Sequence, residues 1–483
     1  MLLLLAGALL RAPFLFDHGI DDDEFYTLRN SVELLSSPTP SAVKSWPVLF
    51  GVVRGLSELF GPTPFALRLF PVLCGILAPA FLFLLGRRLI GERAALLAAL
   101  LLVCWPWHQY FSGVARYYAP TFLLGLLVID RLHLAITRGR LKDGVVAVAL
   151  LALAALTHAT GLLAAGGGLL LFCTRLASMR LRVRLVLIGG VAGLAAVVMF
   201  VPAFSEPVLR VVSGEGGLGY DAIYFLMSLI FNVSPLLLGL GLLGVAALLK
   251  GRSDSALYLS AAVSLPIVVL GVLATLGVGV QARYAMAALP ALLLLSGAGL
   301  ERLLKPLLSG VPGVPGGKEH SGRLVLQRGA LVLAVLLPFF PSLASNLIDG
   351  NRHDVPGVAR YLEGRLQQGQ MLFAESHSLL AYYLYGYDRW LPPGEGQPPF
   401  PRVFGESPPS PAQLDTLRAS GVRAHFVIPE NVSELLPALG ADGRALDRFL
   451  RDRAVIEYRL GQRRLDYHRN VLTVYRAGRR GSS

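Results

Sequence analysis

The amino-acid sequence predicts an α-helical, polytopic membrane protein with a smaller α/β domain at its C-terminal end. Three observations carry the prediction. Of the 483 residues, 54% are hydrophobic and only 16% are charged, with a mean hydropathy of +0.59, whereas soluble chains carry about 25% charged residues. Apolar runs suited to a hydrocarbon core of ~30 Å recur through the first 347 residues. From residue 348 the pattern changes to short apolar strands alternating with amphipathic helices.

Taken in order, the apolar runs fall at 1–16, 64–86, 94–107, 118–136, 144–157, 159–174, 185–203, 222–249, 256–276, 284–304 and 330–347, eleven in all. The fifth and sixth abut at Thr157-His158. The first has no basic leader and no small-residue cleavage site, so it reads as a retained span and not as a signal peptide. A long loop, 17–63, follows it. Within that loop, Trp46-Pro47-Val48-Leu49-Phe50 leads into Val52, Val53, Leu56, Leu59 and Phe60 at near-helical spacing, with Arg54 and Glu58 on the other face. This predicts a helix lying in the membrane interface, the alternative being ordinary core packing. Residues 310–317 form a Gly/Pro linker.

Beyond 348 the pattern predicts a helix over 354–368, a strand at 371–374, a helix over 378–385 and a Pro-rich insertion at 392–411. It continues with a helix over 411–419, a strand at 424–428, a helix over 444–453 and strands at 455–460 and 471–475. The expected organisation is a transmembrane domain over 1–347 and an α/β domain over 348–483.

Charge sets the expected orientation. The net charge of +13 is spread over short loops between apolar runs and forms no stripe that would track nucleic acid. Arg87, Arg88 and Arg93, then Arg138, Arg140 and Lys142, then Arg175, Arg180, Arg182 and Arg184, then Lys250 and Arg252, then Lys305, Lys318, Arg323 and Arg328 occupy one set of loops. The alternate loops hold a single Arg or none, so the positive-inside rule makes the first set cytoplasmic and puts loop 17–63 and the C-terminal part outside. Cys74, Cys104 and Cys173 all lie in apolar runs, which leaves no disulfide framework or thiolate metal site to read.

Three polar constellations fall on the external side. The first is Asp21-Asp22-Asp23-Glu24, followed by Phe25-Tyr26. Adjacent carboxylates raise one another's pKa unless a cation or ligand relieves them, which suits acid/base work or a divalent cation. The plainer reading is an acidic turn that caps the next helix. The run lacks the Gly and the spaced ligands of an EF-hand loop. The second is Trp107 to Tyr118, in which Arg116-Tyr117-Tyr118 places a planar, multi-donor cation among aromatics at the boundary. That suits a phosphate headgroup, or else an aromatic belt with a snorkelling Arg. The third is Arg283-Tyr284, with His158 in a neighbouring external turn as a donor to sugar or phosphate, or as a cap. Together they describe carboxylates, arginines and tyrosines at one bilayer surface, a set suited to transfer from a lipid-linked phosphate: a carboxylate takes a proton while arginines stabilise the departing phosphate.

Arg11…Asp23-Glu24-Phe25-Tyr26, Trp46-Pro47-Val48-Leu49, Leu59-Phe60-Gly61…Leu67-Arg68-Leu69 and Ser112…Ala115-Arg116-Tyr117-Tyr118 resemble glycosyltransferase family 39. These are dolichyl-phosphate-mannose protein mannosyltransferase-like enzymes of the GT-C fold, including lipid A aminoarabinose transferases. Thr157-His158-Ala159-Thr160-Gly161, Arg283-Tyr284…Leu289-Pro290, Val358-Ala359-Arg360-Tyr361-Leu362 and Tyr382-Tyr383-Leu384 are similar to further segments of that group. Where relatives often carry His-Pro-Pro before the interfacial helix, this chain has Ser45-Trp46-Pro47.

The resemblance implies an integral protein of a bacterial-type inner or plasma membrane that moves a sugar, with inversion, from a polyprenyl-phosphate donor to a lipid, glycan or protein acceptor outside the cytoplasm. Its catalytic Asp-Glu pair falls on Asp23-Glu24, with a one-residue shift to Asp22 open because of the three consecutive Asp residues. Arg116 and Arg283 would hold the donor phosphate, supported by Tyr117, Tyr284 and His158, and a divalent cation at Asp22/Asp23/Glu24 is a candidate cofactor. The rival expectation from another class is a transporter or flippase of lipid-linked sugars, which would show paired repeats or helices broken near mid-membrane.

Overall fold

The computed structural model describes residues 1–16, 19–36, 47–200, 222–251, 253–276, 280–308 and 329–349. In the C-terminal part it describes 355–363, 371–374, 402–404, 410–420, 424–429, 440–460 and 472–477, with a few single residues between. The linker at 310–317 and most of the helix expected over 378–385 lie outside the described residues. The chain divides into two compact units, one of 1–16 with 27–347 and one of 17–26 with 348–483.

In the first unit, helix α1 (Leu2–Arg11) ends in a 3-10 turn; α2 (Asp22–Ser36), whose residues up to Tyr26 belong to the second unit, and α3 (Pro47–Phe60) precede α4 (Pro64–Ile90). The order continues with α5 (Glu92–Cys104), α6 (Pro106–Ser112), α7 (Tyr118–Arg138) and α8 (Leu141–Thr157). A 3-10 turn, Ala159–Ala165, then leads into α9 (Gly166–Arg175), α10 (Leu181–Phe200), α11 (Ala222–Val233), α12 (Pro235–Leu249) and α13 (Ser253–Thr275). After the 3-10 turn Ala282–Ala287 come α14 (Leu289–Leu308) and an apolar stretch, Gly329–Leu347, that ends within α15 (Phe340–Asp349). Helices dominate because lipid offers backbone N–H and C=O groups no partner, so each crossing satisfies its own.

Among the described residues, five helices are long and apolar enough to cross a bilayer, and seven if each of two bent pairs is one crossing. Other apolar runs fall short of that test: α8 has 17 residues, and α14 carries Glu301, Arg302 and Lys305. Two runs that read as continuous in the sequence are broken. The run 94–107 bends by 62° at Trp105 and the run 222–249 by 85° at Ser234. In each case a proline follows, Pro106 or Pro235, and disfavours helical dihedrals at the residue before it. Ser234 takes a positive φ of 82°, and its Oγ accepts from the Leu236 N–H at 3.3 Å, capping the new helix. The helix expected near residue 50 is α3, with Leu49, Phe50 and Val53 buried and Arg54 paired to Glu58 at 2.7 Å.

Two polar knots fix these helices. At one, Arg11 is fully buried: its Nη2 donates to Leu102 O at 3.3 Å and to His108 Nδ1 at 3.0 Å, and its Nε donates to Ser112 Oγ at 3.4 Å. Gln109 Nε2 reaches Leu10 O at 2.9 Å, and Asn346 Nδ2 reaches Gln109 Oε1 at 3.1 Å. These bonds tie α1, α6 and α15 together and anchor the helix that leads to Arg116. At the other knot, Arg88 meets Asp130 at 3.0 Å and Arg131 meets Asp143 at 2.9 Å, joining α4, α7 and α8.

The second unit holds a five-stranded mixed sheet in the order β2-β1-β3-β5-β4. Its strands are β1 (Met371–Ala374), β2 (Arg402–Phe404), β3 (Ala424–Pro429), β4 (Ala454–Leu460) and β5 (Leu472–Ala477). β1 runs parallel to β2 and β3, and β5 runs antiparallel to β3 and β4. The helices are α16 (Val355–Glu363), α17 (Pro411–Ser420) and α18 (Gly440–Arg453). Phe373, Leu414, Phe426, Leu446, Phe449 and Leu450 form its core, with the Phe373 and Phe426 rings stacked at 4.9 Å.

Candidate active site

Three chain breaks in the first unit bring polar side chains together. Residues 113–117 form the turn that ends α6 and delivers Arg116 and Tyr117 to the start of α7. His158 leaves α8 in an extended conformation, φ −166° and ψ 143°, before the next 3-10 turn. Arg283 and Tyr284 sit in the 3-10 turn that precedes α14. Gly113 permits the first turn, because a Cβ there would run into the Phe14 ring.

The five residues converge. His158 stacks on Tyr117 with ring centroids 3.5 Å apart and planes 6° from parallel. Tyr284 lies 5.8 Å from the imidazole on a tilted plane. Tyr118 packs against Tyr117 at 4.3 Å, and the Arg283 guanidinium carbon stands 5.5 Å from the centre of the Tyr118 ring. Arg116 donates through Nη1 to Thr27 Oγ1 at 3.5 Å.

His158 Nδ1 accepts from the Thr160 N–H at 3.2 Å and lies 2.8 Å from Thr160 Oγ1. Accepting at Nδ1 assigns the proton of the neutral ring to Nε2. Burial pushes the His158 pKa down to about 3, and the positive charges of Arg116 and Arg283 push the same way. Both arginines therefore act on one point through a neutral aromatic floor. Burial, then the neighbouring Tyr118 and Tyr284, hold the Tyr117 phenol well above its ordinary range, so it stays protonated. Two guanidinium groups beside buried aromatic rings, Arg283 over Tyr118 and Arg116 close enough to act on His158, suit a phosphate group.

The acidic run opens α2 in the second unit. Asp21 is its N-cap: the Glu24 N–H donates to Asp21 Oδ1 at 2.8 Å and the Asp21 N–H donates to Glu24 Oε2 at 3.1 Å. This reciprocal pair is a capping box built on Asp, and in this respect the plainer reading of the run holds for Asp21. Glu24 is fully buried, Asp23 is half-buried, and the Asp22 side chain lies outside the described residues. Among the described residues no three His, Cys, Asp or Glu side chains group to hold a metal ion. Asp21 Oδ1 and Glu24 Oε2 are engaged with backbone N–H groups.

Sequence reasoning missed Thr27 and Thr160, the hydroxyls that hold Arg116 and His158. A His-x-Thr turn at a helix end was the available signal for Thr160.

Residues 43–204 match the family model described as dolichyl-phosphate-mannose-protein mannosyltransferase. Among solved structures, the chain is similar to ArnT from Cupriavidus metallidurans bound to undecaprenyl phosphate, at 18% identity and a TM-score of 0.57 over 98% of this chain and 96% of that one. The same protein in the apo state gives a TM-score of 0.58 at 17% identity, covering 98% of this chain and 97% of that one. The archaeal oligosaccharyltransferase AglB from Archaeoglobus fulgidus, in complex with an inhibitory peptide and a dolichol-phosphate, gives 0.57 at 15% identity over 94% of this chain and 72% of that one. A search of curated proteins finds no significant match. The resemblance read from the sequence is borne out: this integral membrane protein has the GT-C fold, and its segment 43–204 matches the dolichyl-phosphate-mannose-protein mannosyltransferase family.

Proposed function

We propose that the protein is a membrane glycosyltransferase that moves a sugar from a polyprenyl-phosphate donor to an acceptor hydroxyl on the extracytoplasmic side. The observation that carries this reading is the convergence of Arg116 and Arg283 on the stacked Tyr117–His158 pair. A donor phosphate seated there would gain charge as the sugar leaves, and fixed guanidinium groups stabilise that charge more in the transition state than in the ground state. His158, neutral with its proton on Nε2, adds a donor without adding charge; Tyr117 and Tyr284 shape the floor.

Asp23 is the general base. It accepts the acceptor's hydroxyl proton as that oxygen bonds to the anomeric carbon, the bond from that carbon to the donor phosphate oxygen breaks, and the configuration inverts. Glu24 works through the helix start it closes with Asp21, and Asp22 is the one-residue alternative for the base. A divalent cation at Asp22, Asp23 and Glu24 stays a proposal on the charge of the run alone, and no step of the transfer runs through it. Lipid-phosphate ligands in the structural relatives from both organisms support a polyprenyl-phosphate donor. Loop charge supports an external site, a C-terminal unit outside the cytoplasm and a total of eleven spans.

A transporter of lipid-linked sugars keeps one observation on its side, the two helices bent at Trp105 and Ser234. The deciding experiment offers a panel of polyprenyl-phosphate sugars to purified protein in lipid, with Asp23→Asn alongside. Turnover by the wild type and its loss in the variant are expected. Donor binding in both without turnover in either overturns the transferase in favour of transport.

A further inference from the structure

The segment just ahead of the acids is held by the far end of the chain. The Ile20 N–H donates to Tyr383 Oη at 2.7 Å across 363 positions, and Ile20 is 1% exposed. Gly19 lies flat against the same place: a Cβ there would come within 2.7 Å of Pro356 Cγ, 3.0 Å of Pro356 Cδ and 3.2 Å of Tyr383 Oη. Residues 17–26 accordingly belong to the compact unit formed by 348–483.

The constraints continue into the first turn of α2. Ile20 N–H is fixed by Tyr383, Asp21 N–H by Glu24, Glu24 N–H by Asp21, and Phe25 N–H by Asp21 O at 2.9 Å. A helix whose first turn is pinned in this way has its register set at its N-terminus, and the direction of every side chain in that turn follows from the register. Asp23 is the second residue of that turn.

We propose that Tyr383, together with Pro356 and Gly19, is the positioning device for the catalytic carboxylate, so that the C-terminal α/β unit is a working part of the transferase. The inference rests on the transferase reading above. Tyr383 is a positioning residue, because it touches the backbone of Ile20. Its phenol oxygen supplies the acceptor that a buried N–H needs, and the absent Cβ at Gly19 allows the approach. The purpose is orientation, since small displacements of a reacting group cost as much as about 10²-fold in rate.

The test uses the full-length protein in lipid with three changes: Tyr383→Phe, which removes only the oxygen; Gly19→Ala; and Gly19→Ala combined with Pro356→Ala, which reopens the space. Tyr383→Phe is expected to lower kcat about tenfold and Gly19→Ala more, with donor binding unchanged and faster amide exchange confined to residues 20–25. The double variant is expected to recover part of the Gly19→Ala loss. Unchanged kcat in Tyr383→Phe, or exchange that rises evenly over the whole chain, overturns the proposal. If the wild type turns over no donor, the transferase reading fails, and unchanged exchange at residues 20–25 in Tyr383→Phe then separately removes the anchoring.

Discussion

Tyr117 and His158 lie face to face at 3.5 Å between ring centroids, with Thr160 holding the imidazole from its edge. The contact joins the start of α7 to the end of α8, and burial there, with the charges of Arg116 and Arg283, keeps the histidine neutral. A neutral ring suits the site, since a third positive charge there would repel Arg116 and Arg283 in the absence of a ligand.

That arrangement fixes a pH dependence. The His158 pKa falls from about 6.5 in the unfolded chain to about 3 in the folded one. The folded state therefore binds fewer protons, and the stability attached to this group is fully present above pH 6.5 and is lost as pH falls toward 3. The limiting slope is about 1.4 kcal/mol per pH unit. Thermal unfolding of detergent-solubilised protein between pH 7 and 4 should show a steeper fall for the wild type than for His158→Phe, which keeps an aromatic ring without the titration. Parallel curves would show that His158 does not titrate in this way.

The two arginines should separate from the base in kinetics. On the proposed phosphate clamp, Arg116→Ala and Arg283→Ala would each remove a charge-assisted contact of about 1.5–3 kcal/mol, which predicts a fall in kcat/KM of about ten- to a hundredfold. A Lys at either position restores charge without the two-pronged geometry and should recover only part. Donor titrations with both variants check this, and unaltered kcat/KM in both would remove the phosphate clamp.

The sequence shows where the helices are more readily than where they break. Each apolar run appears as helix because composition and length are local properties. Pro71, Pro79 and Pro266 remain inside helices while Pro106 and Pro235 begin new ones, so proline alone does not mark a bend; the packing around it decides. β2 was hidden because three residues between prolines carry no periodicity. In the site, Arg116, His158 and Arg283 stood out individually as polar groups at the ends of apolar runs. The stack of His158 on Tyr117 was not legible, because it depends on how α7 and α8 meet. The acidic turn that caps the next helix was legible in the sequence as the plainer of two readings, and Asp21 and Glu24 form it.

Close helix packing gives a prediction with two signs on one helix. On α12, a Cβ at Gly244 would fall on the Leu295 carbonyl of α14, and one at Gly299 of α14 would fall on the Leu240 carbonyl, while Ser296 Oγ donates to Leu237 O at 2.8 Å. Small residues let backbones approach in this way in lipid. Gly239, on the same helix, has nothing within 4 Å of an added Cβ. Gly244→Ala should destabilise by about 1–3 kcal/mol, and Gly239→Ala should be neutral or stabilise by as much as about 1 kcal/mol. Equal unfolding midpoints for the two variants would show that this contact does not hold the helices together.

The capping box and the proposed base make separable demands on neighbouring residues. Asp21 accepts from the Glu24 N–H, a bond that Asp21→Asn retains and Asp21→Ala removes. Loss of an N-cap costs about 0.5–2 kcal/mol, so Asp21→Ala should lower the unfolding midpoint and loosen the first turn of α2, reducing turnover through geometry. Asp23 sits two residues further on, where its carboxylate is not part of the box. Asp23→Asn should leave the unfolding midpoint near that of the wild type while removing about 10²–10⁴-fold of kcat, the range for a positioned general base. Measuring midpoint and kcat for all three variants distinguishes the roles. If Asp23→Asn keeps full turnover and Asp22→Asn loses it, the base is one residue earlier; if both keep it, the acids serve the helix start alone.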